Sequence, residues 1–313
     1  MCCLFGMIDY GGSFSGRQKD KILSILAIEC EARGVDATGI AYNSKGHLTV
    51  YKRPQPAHKL RFHVSGDAVA VMGHTRLTTQ GSETKNFNNH PFFGTVGTLR
   101  FALAHNGVLY NDKTLRRVLK LPKTNIETDS YIAVQLLERQ KALDFSTLKS
   151  MAEQVEGSFT FTVLDQEDNL YFVKGDSPLC IYHFPKAGVY LYASTEAILQ
   201  KAWKKTRLSL GVRTELTPDC GEILKIDRKG ELTKSTFDFK FGYDYGYRWF
   251  SRLYAPPAQG AGVRYQSEFE RMYLQDLKTA AASFGYSPEY IDNILRQGFT
   301  LDEVEQWLYC GEL

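Results

Sequence analysis

SFTFTVLDQEDNLYFVKGDSPLCIYHFPKAGVYLYAS, residues 158–194, holds four short runs, SFTFTVLD, LYFVKG, LCIYHF and VYLYAS, rich in β-branched and aromatic residues and separated by polar, Pro or Gly turns. No helix-length segment lies between these runs, so they predict antiparallel pairing; parallel strands would need long crossovers. Upstream, Ser146–Val155 reads as a helix ended by Gly157, and Thr128–Leu143 as another. FALAHNGVLY (101–110) reads as a strand running into a turn. Before it, GIAYN (39–43), HLTVYKRP (47–54) and AVAVMGHTRL (68–77) are extended. Residues 18–32 place Ile22, Ile25, Leu26 and Cys30 near helical spacing, with Gly34 as a stop. Downstream come a helix at Glu196–Lys204 and strands at Glu222–Asp227 and Glu231–Thr236. Strand clusters with helices before and between them predict an α+β fold of stacked antiparallel sheets flanked by helices.

The composition agrees with a globular chain. Of 313 residues, 43% are apolar and 23% charged, which excludes collagen-like and disordered architectures. No apolar run approaches the roughly 20 residues that span a bilayer, and MCCLFGMIDY lacks a basic segment ahead of a long apolar one; a cytoplasmic protein with no membrane partner is expected. The 38 basic and 35 acidic residues leave a net charge of +3, too small an excess to predict nucleic-acid binding. Six scattered cysteines form no C-x-x-C pair and no zinc spacing, so reduced thiols and no metal are expected. Gly11 and Gly16 have phosphate-loop spacing, but Arg17-Gln18 replaces the required Lys-Ser/Thr, and no cofactor is predicted.

Three segments follow from the pattern: a domain over residues 2–236, an aromatic strap and linker over 237–265, and a small helical extension over 266–313. In the extension, helices are expected at Ser267–Ser283, from Ser287-Pro288 to Gly298, and from Thr300 to Tyr309. Its apolar residues, among them Met272, Leu277, Ile291, Ile294 and Trp307, suit a docking element, although a bundle packed on its own core is the plainer reading. The strap, with Tyr243, Tyr245, Tyr247 and Trp249, carries too little positive charge to favour base stacking.

Cys2 matters by position. Removal of the initiator Met would leave one residue carrying both a thiol and an α-amino group, a nucleophile beside a base that titrates near neutral pH. Around it stand Met1-Cys2-Cys3-Leu4-Phe5-Gly6, Arg33-Gly34-Val35-Asp36-Ala37-Thr38-Gly39, Gly73-His74-Thr75-Arg76, Asn89-His90-Pro91, His105-Asn106-Gly107 and Glu127-Thr128-Asp129. In this order and spacing the motifs resemble the glutaminase domain of class II glutamine amidotransferases, which are N-terminal-nucleophile hydrolases. Weaker echoes extend the resemblance to about residue 235. It implies a four-layer αββα sandwich, glutamine as substrate, and hydrolysis through a thioester on Cys2.

The chemistry can be argued from the residues as well. An amide cleaved through a thioester needs donors for the tetrahedral oxyanion, and the Asn106 side chain with the Gly107 backbone N–H could supply them; an Asn-Gly pair standing alone would read as a hairpin turn. Arg76 could clamp an α-carboxylate and Asp129 an α-ammonium, and the resemblance implies the same roles. The plainer readings are a surface ion pair for Arg76 and a helix N-terminal charge for Asp129. Arg33-Gly34-Val35-Asp36 is expected to shape the pocket without a catalytic step, and His74 and His90 to be hydrogen-bonded structural residues.

Two features depart from the family. Cys3 replaces a Gly, adding a side chain next to the nucleophile. After Arg76 the run Leu77-Thr78-Thr79-Gln80-Gly81 lacks the family's aromatic and His but keeps Thr79, an expected substrate contact, and Gly81. Because only about 75 residues follow the domain, a separate ammonia-accepting synthase subunit is the expected partner. The alternatives are an amidohydrolase for another γ-glutamyl or amide substrate, and a catalytically silent interaction protein. The oligomeric state is not legible.

Overall fold

The computed structural model describes residues 2–239 continuously and, beyond them, 274–275, 277–279, 281–282, 286–297, 301, 304 and 308. The chain divides into two units, one over Cys2–Phe239 and one over Lys240–Leu313. The first contains thirteen strands and five α-helices: β1 (Cys3–Asp9), α1 (Gly16–Cys30), β2 (Ala37–Ser44), β3 (His47–Arg53), β4 (Ala70–Arg76), β5 (Phe92–Val96), β6 (Leu99–Leu109), α2 (Asp112–Val118), α3 (Tyr131–Glu138), α4 (Phe145–Gln154), β7 (Gly157–Asp165), β8 (Leu170–Lys174), β9 (Cys180–Phe184), β10 (Val189–Ala193), α5 (Glu196–Thr206), β11 (Thr214–Leu216), β12 (Glu222–Ile226) and β13 (Leu232–Thr236).

These strands form a seven-stranded sheet in the order β11-β9-β10-β1-β4-β2-β3 and a six-stranded sheet in the order β13-β12-β8-β7-β6-β5. Alternation along each strand sends successive side chains to opposite faces, and three apolar layers result. Phe5, Met7, Tyr182 and Leu191 of the first sheet pack against Ile22, Leu23 and Leu26 of α1 and Leu199 of α5. Phe101, Leu103, Phe161 and Val163 of the second pack against Ile132 and Val134 of α3 and Leu148 and Met151 of α4. Between the sheets lie Leu4, Ile8, Met72, Ala102, Ala104, Leu164, Phe172 and Tyr192. The expected αββα sandwich is therefore present. Each fully buried Leu or Phe in these layers is worth about 1.5–3 kcal/mol of transfer free energy.

The structure corrects the expected boundaries in several places. Asn106-Gly107 does not turn the chain: both residues lie inside β6, paired with Thr160 and Phe159 of β7. Gly157 opens β7 rather than closing α4. The helix expected over Thr128–Leu143 is only Tyr131–Glu138. Asp144 must leave the helix to cap α4, where its carboxylate accepts the Thr147 N–H at 2.9 Å. The first helix starts two residues early, at Gly16, behind the Ser15 N-cap. β1, β5, α2 and β11 were not anticipated; short elements and one that starts three residues into the chain carry too little periodicity to read.

Within the second unit, Ser287 caps a Pro288–Arg296 helix through the Tyr290 N–H. Leu274, Leu277, Ala281, Ile291, Ile294, Leu295, Val304 and Leu308 pack on one another. The aromatic strap from residue 240 to 265, Met272, Gly298 and Trp307 lie outside the described residues. Among the described residues no helix is long and apolar enough to cross a membrane, and no cluster of three His, Cys, Asp or Glu could hold a metal ion.

Candidate active site

The face of each central strand that meets the opposite sheet is apolar at one end and polar at the other. On β4 it reads Ala70, Met72, His74, Arg76; on β6, Ala102, Ala104, Asn106; leading into and along β1, Cys2, Leu4, Gly6, Ile8. Register brings these polar ends together. Cys3 pairs with Thr75 and Leu4 with His74, so one step further sets Cys2 opposite Arg76.

Cys2 is buried. Its Sγ donates to the Leu77 carbonyl at 3.6 Å, and Arg33 Nε donates to the Cys2 carbonyl at 3.0 Å. Burial pushes the thiol pKa up, the Arg76 charge draws it down and the Asp129 charge raises it. Arg33 is expected only to shape the pocket, yet it holds the Cys2 backbone. The signal lay in its motif, Arg33-Gly34-Val35-Asp36, whose two ends both serve Cys2: Asp36 Oδ2 accepts the Thr78 N–H at 2.7 Å and so steadies the segment whose Leu77 carbonyl receives the thiol.

Cys3 takes the opposite face. It is fully buried in the layer under α1, with its Sγ 3.0 Å from Cys30 Sγ. The side chain expected beside the nucleophile is thus turned away from it by strand alternation.

Arg76 is buried and makes no salt bridge among the described residues. Nη1 donates to Asn89 Oδ1 at 2.7 Å, while Nη2 donates to the Gln80 and Gly81 carbonyls at 2.6 and 3.0 Å. The acceptors that touch it are neutral, while the Asp129, Asp36 and Glu83 carboxylates offset its charge only from beyond direct contact, a condition suited to an anionic ligand. The surface ion pair is excluded by this burial. The same guanidinium shapes the 77–81 segment, which Gln80 Nε2 ties to the Glu127 carbonyl at 2.9 Å. Thr79 is half-exposed in that segment.

Asp129 is buried immediately before α3. Its Oδ2 accepts the Leu109 N–H at the end of β6 at 2.6 Å, and burial pushes its pKa up to about 6. Asn106 is fully buried, with Nδ2 3.4 Å from Ser194 Oγ and Oδ1 unpartnered. Gly107 has φ +133, and a Cβ there would stand 2.0 Å from the Ser158 carbonyl oxygen, so no other residue fits without moving β7.

The histidines divide. His74 meets the His105 carbonyl through Nε2 at 2.9 Å, and His105 Nδ1 meets Ser130 Oγ at 2.8 Å. Burial lowers both pKa values to about 3, leaving two neutral rings of low basicity. His90 packs against His74, the rings tilted by 36° with centroids 4.2 Å apart. Contrary to expectation neither of its ring nitrogens has a hydrogen-bond partner among the described residues.

With this geometry in place, comparison with known proteins is specific. Residues 74–201 match the model of a glutamine amidotransferase domain. This stretch is similar to a glutamine amidotransferase domain. The glutamine–fructose-6-phosphate aminotransferase [isomerizing] of Bacillus thuringiensis subsp. konkukian is 33% identical to the chain over 190 residues, 58% of this chain and 30% of that protein. The Chlamydia muridarum protein of the same name is 29% identical over 264 residues, 76% of this chain and 42% of its own length. Among solved structures, the glutamine phosphoribosylpyrophosphate amidotransferase from B. subtilis covers 76% of this chain at a TM-score of 0.60 and 19% identity, with 50% of its own chain matched; this likeness shows the fold. The chain thus spans half or less of the length of each of these relatives.

Proposed function

We propose that the protein hydrolyses the side-chain amide of glutamine through a thioester on Cys2, releasing glutamate and ammonia. The observation that carries this reading is the register that sets Cys2 opposite Arg76 while Asn106 and Asp129 lie buried near the same polar end. After removal of Met1, the Cys2 amine takes the thiol proton as sulfur attacks the amide carbon. Asn106 and the Gly107 N–H receive the resulting oxyanion. Collapse expels ammonia, to which the amine returns the proton. Water then opens the thioester by the same route to give glutamate and the free thiol.

Arg76 receives the substrate α-carboxylate and Asp129 the α-ammonium. The neutral, weakly basic rings of His74 and His105 support the amine as the group that moves the proton. Ammonia would pass to an acceptor domain or subunit, in keeping with relatives named as an aminotransferase and an amidotransferase.

The test is an intact mass and peptide map after incubation with an electrophilic glutamine analogue, run beside a glutamate-release assay. A single adduct on an N-terminal Cys2 together with glutamine turnover is the expected result. A Met-free protein that neither reacts nor turns over glutamine overturns the reading. Faster turnover of another γ-glutamyl amide than of glutamine would move the activity to that substrate, as the altered 77–81 segment allows.

A further inference from the structure

We infer that Ser194 is a positioning residue that sets which end of the Asn106 amide faces the reacting group. The inference rests on the oxyanion role proposed for Asn106 and deepens it. Ser194 directly follows β10, next to β1, and is fully buried. It is bolted to the strand that carries the nucleophile: its N–H donates to the Leu4 carbonyl at 2.9 Å and its Oγ accepts the Leu4 N–H at 2.8 Å. Across the inter-sheet space the same Oγ lies 3.4 Å from the Asn106 amide, 88 residues away in sequence. Ser194 is therefore a side chain through which the nucleophile's strand touches the side chain proposed to hold the oxyanion.

Two amide orientations fit Ser194, and an oxyanion distinguishes them. Ser194 Oγ accepts from Leu4 and keeps a second lone pair and its own O–H, so it can face either end of the amide. With Asn106 Nδ2 turned toward it, the amide oxygen is left buried without a partner, which costs about 1–3 kcal/mol. Rotating the amide by 180° exchanges two nearly isosteric ends. Oδ1 then accepts the Ser194 O–H, and the two N–H donors occupy the buried position that has no partner among the described residues. Buried donors with no partner among the described residues are what an oxyanion requires, because no reorganisation is then left for the moment of reaction. The Cys3 thiol also lies within reach of the Ser194 hydroxyl, but sulfur is the weaker acceptor and does not compete on equal terms.

The experiment is a double-mutant cycle on glutamine hydrolysis with S194A, N106A and the double variant. Inhibition by the aldehyde analogue of glutamine, whose adduct with Cys2 carries an oxyanion-like oxygen, is measured on each. S194A is expected to lower kcat by about 10-fold or more with KM within about 2-fold, and to weaken the aldehyde by a similar factor. In the N106A background the same change adds little, because the amide it orients is gone. Additive losses in the cycle, or an aldehyde affinity unchanged in S194A, overturn the inference and leave Ser194 as strand packing.

If S194A does not fold, S194C keeps the volume with a weaker donor, and an intermediate kcat with unchanged KM is expected; wild-type kcat in S194C overturns the inference. A different pattern separates failure of the underlying reading. If N106A itself keeps wild-type kcat, the oxyanion role of Asn106 falls, and the Ser194 inference with it. If N106A is impaired while S194A is not, only the inference fails.

Discussion

The layer between the two sheets has two ends built on the same strands and obeying opposite rules. In its middle, Leu4, Ile8, Ala70, Met72, Ala102, Ala104 and Leu164 interdigitate, with the hydroxyls of Thr162 and Tyr192 the buried polar groups among them. Two or four residues further along the same faces stand Cys2, His74, Arg76, Asn106, Thr160 and Ser194, all buried. The middle gains from every methylene removed from water. The end gives up part of that gain: it buries a guanidinium that touches only neutral acceptors, a carboxyl pushed up to about 6 and an amide with one end unpartnered among the described residues. One sandwich thus separates holding the sheets together from holding a charged, hydrogen-bonding ligand, and substitutions at the two ends should fail in different currencies.

Cys2→Ala should have the largest effect, lowering glutamate release by at least about 10⁴-fold with no loss of fold, since the removed group is the attacking atom. Asn106→Ala should follow, cutting kcat by about 10²–10³ with KM little changed, as removal of an oxyanion donor does; a change in KM alone would mean the amide serves binding instead. Leu164→Ala in the middle should cost about 2–5 kcal/mol in denaturant unfolding through the cavity it leaves, while kcat of the folded fraction stays near wild type. A matching fall in kcat would erase the distinction between the two ends.

Asp129→Asn should raise KM by about 10-fold at neutral pH, the worth of one partly buried charge contact. Its pH dependence sharpens the point. Below about 6 the wild-type carboxyl is protonated and cannot pair with an α-ammonium, so KM rises as pH falls through that value; in Asp129→Asn the profile is flat there. For stability the sign is opposite. Between the ordinary carboxylate pKa and about 6 the folded protein keeps a proton that the unfolded chain has released, so this residue's contribution declines as pH rises across that window. Asp129→Asn removes that slope, which thermal unfolding at several pH values reads directly.

Much of the fold was legible because β-alternation and helix periodicity are local signals, as in the four runs between residues 158 and 194, which became β7 to β10. Cys2, Arg76, Asn106, Gly107 and Asp129 could be singled out because the chemistry of an amide and a free amino acid demands those groups, and because their motifs recur in a recognisable order. Arg33 was read as part of the pocket wall, since nothing local says that its Nε reaches the Cys2 carbonyl. Asn106-Gly107 read locally as a turn. The β7 partner that keeps it extended lies some fifty residues downstream, and Gly at 107 reflects the Ser158 carbonyl against it rather than a hairpin.

The sequence by itself determined the stacked antiparallel sheets flanked by helices and the apolar middle of each strand, since a period of two assigns every side chain a face before any partner is known; the αββα order and Cys2 as the proposed nucleophile came from the motifs that resemble class II glutaminases. Only the tertiary structure decided which faces meet. It turned Cys3 toward Cys30 and away from Cys2, set Cys2 opposite Arg76, and brought Ser194 against both Leu4 and Asn106. The reason is register: contacts between residues separated by as many as 190 positions depend on how two strands slide past each other, and that is settled by packing the whole layer, not by any one strand's pattern.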